Sequence, residues 1–176
     1  MSAYFVLLPL ALLLLPAIYF DVSYYCIPNS LTLGGCIVGL LLSTWLSGWH
    51  GLENSSLSLA AAFSTSIFFW RWGWLGAGDV KLLAAVGSVV GIPHVFAVLV
   101  LTALSGMLLS IIVLARHGQI RQTLSRIAAC IFVGMAQDAP VSYALIPTTG
   151  RIRLPYALAI AMGSFISLLF PSINFL

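Results

Sequence analysis

Long apolar runs, separated by short polar or glycine- and proline-bearing breaks, occupy most of the chain. The first runs from Tyr4 to Phe20 and contains Pro9 and Pro16, which a membrane helix tolerates when neighbouring groups satisfy the freed carbonyls. Asp21 closes it. The stretch 22–30 reads as a break, because Pro28 has no N–H and biases Ile27 away from helix, and Asn29 or Ser30 can cap the next helix. Leu31 to Trp49 is a second run, with Gly34, Gly35 and Gly39 supplying a small-residue face. His50 to Ser56 reads as a polar turn around Glu53, and Leu57 to Trp70 as a third run that ends in an interfacial belt of Trp70, Arg71, Trp72 and Trp74.

Beyond the glycines at 76 and 78, a short helix is expected from Val80 to about Gly91, then a turn at Pro93 and His94. Val95 to Ala115 and Leu154 to Phe170 are the remaining runs. Ile127 to Ala136 falls short of the roughly 20 residues a span requires, and reads as an interfacial or partly buried helix ended by Asp138 and Pro140. The first run has no basic residue before it and no small-residue cleavage site after it, so it is expected as a retained helix and not a signal peptide.

Composition agrees with this pattern. The 176 residues are 61% hydrophobic and 6% charged, with mean hydropathy +1.12, against roughly 25% charged in soluble domains. The expected fold is an all-α polytopic membrane bundle of about six transmembrane helices, in a single domain over residues 1–176. The net charge of +3 comes from Lys and Arg near helix ends, which favours a lipid bilayer with an anionic cytoplasmic leaflet and gives no reason to expect nucleic acid as a partner. Six spans would put Asp21, Arg71 to Lys81, Arg116 to Arg126 and Arg151 to Arg153 on one side, which the positive-inside rule makes cytoplasmic. His50, Glu53 and His94 fall on the other. A helix of about 12 residues covers only about 18 Å of a roughly 30 Å hydrocarbon core. Asp79 is therefore expected to be recessed below the cytoplasmic surface.

Among four acidic residues, two are expected to end apolar segments on that same side, Asp21 and Asp79. A carboxylate at membrane depth costs about 2.5–3.5 kcal/mol on insertion scales, so the pair calls for a function. Two carboxyls sharing one proton and a water can hydrolyse a peptide, one taking a proton from the water while the other donates to the carbonyl oxygen. Asp79, at a helix N-terminus, is expected as the ionised base, and Asp21, at a helix C-terminus, as the proton donor. Gly76 and Gly78 would allow positive φ and close approach of a substrate backbone, although a turn before a helix calls for the same residues. Lys81 is read as snorkelling to the interface, or else as holding substrate or tuning the field of the pair; Asn29 as a helix cap, or else as lining the site. Arg116, Arg121 and Arg126 read as topology markers and Asp138 as a solvated loop acid. Cys26, Cys36 and Cys130 form no C-x-x-C pair, and His50, His94 and His117 are scattered, so no metal and no cofactor is expected.

Gly76-Ala77-Gly78-Asp79-Val80-Lys81-Leu82-Leu83 resembles the signature of the type IV prepilin peptidases, membrane aspartyl proteases of the Gly-x-Gly-Asp kind. Asp21 with the downstream Ile27-Pro28-Asn29 resembles that family's first catalytic aspartate, and Arg153-Leu154-Pro155-Tyr156-Ala157 its late Pro-Tyr-Ala segment. The resemblance covers most of the chain. It implies Asp21 and Asp79 as catalytic residues, Gly76, Gly78, Lys81, Pro28 and Asn29 around them, and prepilins or pseudopilins as substrates. Their leader would be removed at the cytoplasmic face of a bacterial inner membrane. Larger members carry a cytoplasmic domain with paired C-x-x-C motifs linked to N-methylation; the chain resembles the short forms of tight-adherence pilus systems, expected to cleave without methylating. Where family members often have a basic residue before Ile-Pro-Asn, Tyr24-Tyr25-Cys26 stands here. Two other classes fit intramembrane acids: a proton- or ion-coupled transporter, and a non-catalytic pilin assembly factor.

Overall fold

A computed structural model describes residues 4–116 and 155–169. Its elements are α1 (Tyr4–Tyr24), α2 (Asn29–Arg71), α3 (Ala77–Val90), α4 (His94–Arg116) and α5 (Tyr156–Leu169). Helix is the regular structure throughout the described residues, and α1, α2 and α4 are long and apolar enough to cross a membrane by length and composition.

A straight helix of the 43 residues in α2 would run on the order of 65 Å, twice the roughly 30 Å hydrocarbon core. It does not run straight. Gly48 alone leaves helical geometry, at φ 61° and ψ −140°, a region open to glycine and strained for L side chains. The chain reverses there, and the backbone of Gly51 lies directly against the Ser43 carbonyl. The expected turn over His50 to Ser56 is thus confined to one glycine, and 49–56 is helical. Polarity alone does not end a helix; a positive φ does. Treated as two arms, 29–47 and 49–71, α2 supplies the expected second and third spans, and the described helices correspond to the expected six.

The short helix α3 is wedged between those arms. Leu82 to Ser88 are all buried, the pattern of a helix enclosed on every side. Small residues permit the approach. A Cβ at Gly39 would strike the Ser88 backbone from the first arm; one at Gly87 would lie 2.9 Å from Ala62 Cβ and 3.0 Å from the Ser58 carbonyl oxygen of the second. Ser55 Oγ donates to the Ser88 carbonyl at 2.5 Å. At the C-terminal end of α3, Asn54 accepts the Ile92 N–H at 3.1 Å and donates to its carbonyl at 3.4 Å. Leu10, Leu13 and Leu14 of α1, Val98 of α4 and Ile160 of α5 complete one apolar core with α3.

α1 continues to Tyr24, one turn further than the apolar run, so Asp21 lies within its last turn and does not close it. The break shrinks to 25–28, where Tyr25 takes a positive φ of 50°. The chain divides into two units, whose described residues are 4–106 with 155–169, and 107–116. The first holds the core just described. Of the second, Met107 to Arg116 are described, as the C-terminal part of α4. The expected loop arginines 121 and 126, the expected helix 127–136, Asp138 and Cys130 lie outside the described residues.

Gly87→Ala is expected to destabilise the protein by about 1–3 kcal/mol, because its Cβ meets backbone that must shift. Gly34, with nothing within 4 Å of an added Cβ, should tolerate alanine with a change of less than about 1 kcal/mol. Equilibrium unfolding in detergent of the two variants checks the contrast.

Candidate active site

Asp21 reaches the site from α1. It is 7% exposed, and its Oδ2 accepts the backbone N–H of Ala157 at 2.8 Å. Ala157 is the second residue of α5, and first-turn N–H groups have no partner within their own helix. A carboxylate supplies one.

Asp79 is the third residue of α3. Its Oδ2 accepts the Gly76 N–H at 3.3 Å, reaching back to the residue that begins the helix. Gly76 is extended, at φ −76° and ψ 149°, and Gly78 is helical, so neither glycine supplies the expected positive φ. The need at 76 is steric instead: a Cβ there would lie 2.8 Å from Asp79 Oδ2. Gly78 faces Ile27, with an added Cβ meeting Ile27 Cβ at 3.5 Å.

The Ile-Pro-Asn segment and the glycine–aspartate turn interlock. Ile27 is buried against Gly78, and Lys81 Nζ donates to Asn29 Oδ1 at 2.8 Å. Pro28 begins α2 and its carbonyl accepts the Leu31 N–H at 3.1 Å. Asn29 is thus the first helical residue and not the cap; its side chain serves α3 instead. Lys81 is exposed, as snorkelling requires, with its ammonium spent on Asn29.

Asp79 and Lys81 precede the apolar stretch 82–87. Burial, and after it the negative charge of Asp21, push its carboxyl up to about 6, although the Gly76 N–H pulls the other way. The expectation that Asp79 is the readily ionised member rests on its place at a helix N-terminus. Burial and the neighbouring carboxylate push its carboxyl in the direction opposite to the one a helix N-terminus favours. Asp21 and Asp79, from separate helices, therefore act on one another. Tyr156, at the start of α5, is also within reach of the Asp79 charge.

The structure thus brings together Asp21, Asp79 and Gly76, and ties Lys81, Asn29 and Gly78 into their support. The Pro155-Tyr156-Ala157 segment is singled out in the sequence only by resemblance, without a role; the contributions of the Ala157 N–H and the Tyr156 ring emerge from the structure. A backbone donor has no signature of its own, which is why the resemblance of this segment does not say what it does. Among the described residues, no three His, Cys, Asp or Glu side chains gather as a metal ion would require.

A model of the type IV leader peptidase family matches residues 7–111, which include both aspartates and the glycine turn but not α5. The chain is 29% identical over 118 residues to a prepilin leader peptidase/N-methyltransferase of Legionella pneumophila, covering 63% of this chain and 41% of that protein. It is 27% identical over 119 residues to a protein of the same description from Myxococcus xanthus, covering 64% of this chain and 35% of that one. The chain thus spans about two fifths or less of the length of these curated relatives. No solved structure matches it significantly.

Carbodiimides modify protonated carboxyls, so labelling of Asp79 should fall as pH rises through about 6. In Asp21→Asn the midpoint should move down, because the repelling charge is gone. It should stay above the ordinary carboxylate range, because burial, the larger cause, remains. Mass spectrometry of the labelled peptide across pH measures both; an unmoved midpoint would mean the two carboxyls are uncoupled.

Proposed function

Because this chain belongs to the type IV leader peptidase family, we propose that it is a membrane-embedded aspartyl endopeptidase that removes the leader from type IV prepilin-like proteins. The observation that carries this reading is that Asp21, in the last turn of α1, and Asp79, in the first turn of α3, lie at the same end of the first unit, within electrostatic reach of one another. Two carboxyls that repel one another readily share a single proton, the state in which a pair can act as base and acid at once.

On this reading Asp21, which accepts the Ala157 N–H, takes a proton from water, and Asp79 holds the shared proton. Asp21 Oδ2 is engaged by the Ala157 N–H, which leaves Oδ1 for the water. The water oxygen attacks the scissile carbonyl carbon, its proton passes to Asp21, and Asp79 protonates the carbonyl oxygen. The C–N bond then breaks as Asp21 returns its proton to the leaving nitrogen and Asp79 recovers its own. Titration in such a pair belongs to both groups jointly.

Placement supports the same reading. α3 has 14 residues, about 21 Å of helix against a core of roughly 30 Å, so an aspartate in its first turn is recessed from the surface. Asp21, Asn29, Asp79 and Tyr156 gather at one end of the first unit, with Arg71 closing α2 and Trp72 and Trp74 packed together after it. By the positive-inside rule that end faces the cytoplasm of a bacterial inner membrane, and residues 1–176 work as one integral-membrane peptidase domain. The partners are a prepilin or pseudopilin and the bilayer. The sequence has no C-x-x-C pair, and the proposal stops at proteolysis.

Incubation with a candidate prepilin, followed by N-terminal sequencing of the product, tests the activity. Asp21→Asn and Asp79→Asn should each lower cleavage by about 10²–10⁴-fold or more while the protein still inserts. Full cleavage by the double variant would overturn the reading. Binding of pilin without cleavage would favour an assembly factor, and aspartate-dependent ion flux in liposomes a transporter.

A further inference from the structure

We propose that the first turn of α5 is a third part of this catalytic apparatus. In it the Ala157 N–H fixes Asp21, and Tyr156, seated on Gly106, is the positioning residue that holds the N–H in place. The proposal rests on the peptidase reading above and extends it to residues outside the 7–111 family match.

α1 alone fixes Asp21 poorly. The aspartate sits in the last turn, and the helix is broken at Tyr25, which accepts a positive φ. Its carboxyl is oriented by a donor that comes from far along the chain. Ala157 is fully buried, so water cannot easily stand in for that donor. The bond also divides the carboxylate: one oxygen is held and the other is directed elsewhere.

The donor is placed by the contact between α4 and α5. Along α4, Thr102, Ser105 and Gly106 meet Gly163, Ala159 and Tyr156 of α5 in antiparallel order. A Cβ on Gly163 would clash with the Thr102 backbone, and Ser105 Oγ donates to the Ala159 carbonyl at 2.8 Å. A Cβ on Gly106 would lie 2.8 Å from Tyr156 Cε2 and 3.3 Å from its Cζ and Oη. The ring thus occupies space that only glycine at 106 leaves open. Tyr156 is the neighbour of the donor in sequence, so its seat sets where the Ala157 N–H points. The same ring lies within reach of the Asp79 charge. One helical turn therefore holds Asp21 from α1 and stands within electrostatic reach of Asp79 from α3.

Replacing Ala157 by lactic acid through nonsense suppression exchanges the amide for an ester, which removes the N–H and weakens the Tyr156 carbonyl as an acceptor while keeping every side chain. This should lower kcat for prepilin cleavage by about tenfold or more with KM within about twofold, the mark of a misplaced catalytic group. Isotope-edited infrared spectra, with the Asp21 carboxyl band assigned by difference from Asp21→Asn, should show that band moved. Gly106→Ala and Tyr156→Ala should lower kcat in the same direction, whereas Tyr156→Phe, which keeps the ring, should stay within about threefold of the parent. An unmoved Asp21 band in the ester protein overturns the proposal. So does a Tyr156→Phe loss equal to that of Tyr156→Ala, which would assign the effect to the hydroxyl and not to the seat of the ring. If the unmodified protein cleaved no prepilin, the peptidase reading would fail on its own, and the infrared band would still decide whether Ala157 holds Asp21.

Discussion

The enclosure of α3 governs the rest of this molecule. A helix apolar around its whole circumference is stable only where every face is covered, and here the folded-back α2 covers two of them. Close approach requires small residues on both sides, which is the physical purpose of Gly39, Ser55, Ala62 and Gly87. Because α3 is both short and enclosed, its first turn is fixed in depth and direction. Asp79 inherits that fixed position, and its altered ionisation comes from the burial that accompanies it.

Much of this is legible in the residues. Hydrophobic runs give the helices, because a bilayer leaves few other ways to satisfy a backbone. The two aspartates stand out because acids are so few in this composition. The features that are not legible have physical causes. Polarity points to a reversal of α2 over His50 to Ser56, whereas the deciding property is a single backbone conformation at Gly48. Asn29 does not act as a cap because it is already the first helical residue after Pro28, and its side-chain oxygen is taken by a distant lysine. A helix end favours the charged form of Asp79, whereas burial beside a second carboxylate pushes its carboxyl the other way. The Ala157 donor belongs to the backbone, where side-chain patterns are silent.

Two short segments far apart in sequence, Ile27-Pro28-Asn29 and Gly78-Asp79-Val80-Lys81, make sense as one object. Ile27 packs where Gly78 has no side chain, and Asn29 receives the lysine that comes two residues after Asp79. Each contact is modest, and the lysine is exposed. Together they join the start of α2 to the start of α3 on both sides of the aspartate. A change in either segment is therefore felt by the other.

The abrupt reversal at Gly48 also limits what the opposite end of the first unit offers to the outside. A one-residue bend there, and a turn at 91–93 clasped by Asn54, leave little slack chain in these two connections. Insertional reporters and epitope tags placed there would have to prise apart packed helices. Sidedness is better mapped by single-site chemical probes on surface positions such as Trp49, which ask nothing of the backbone.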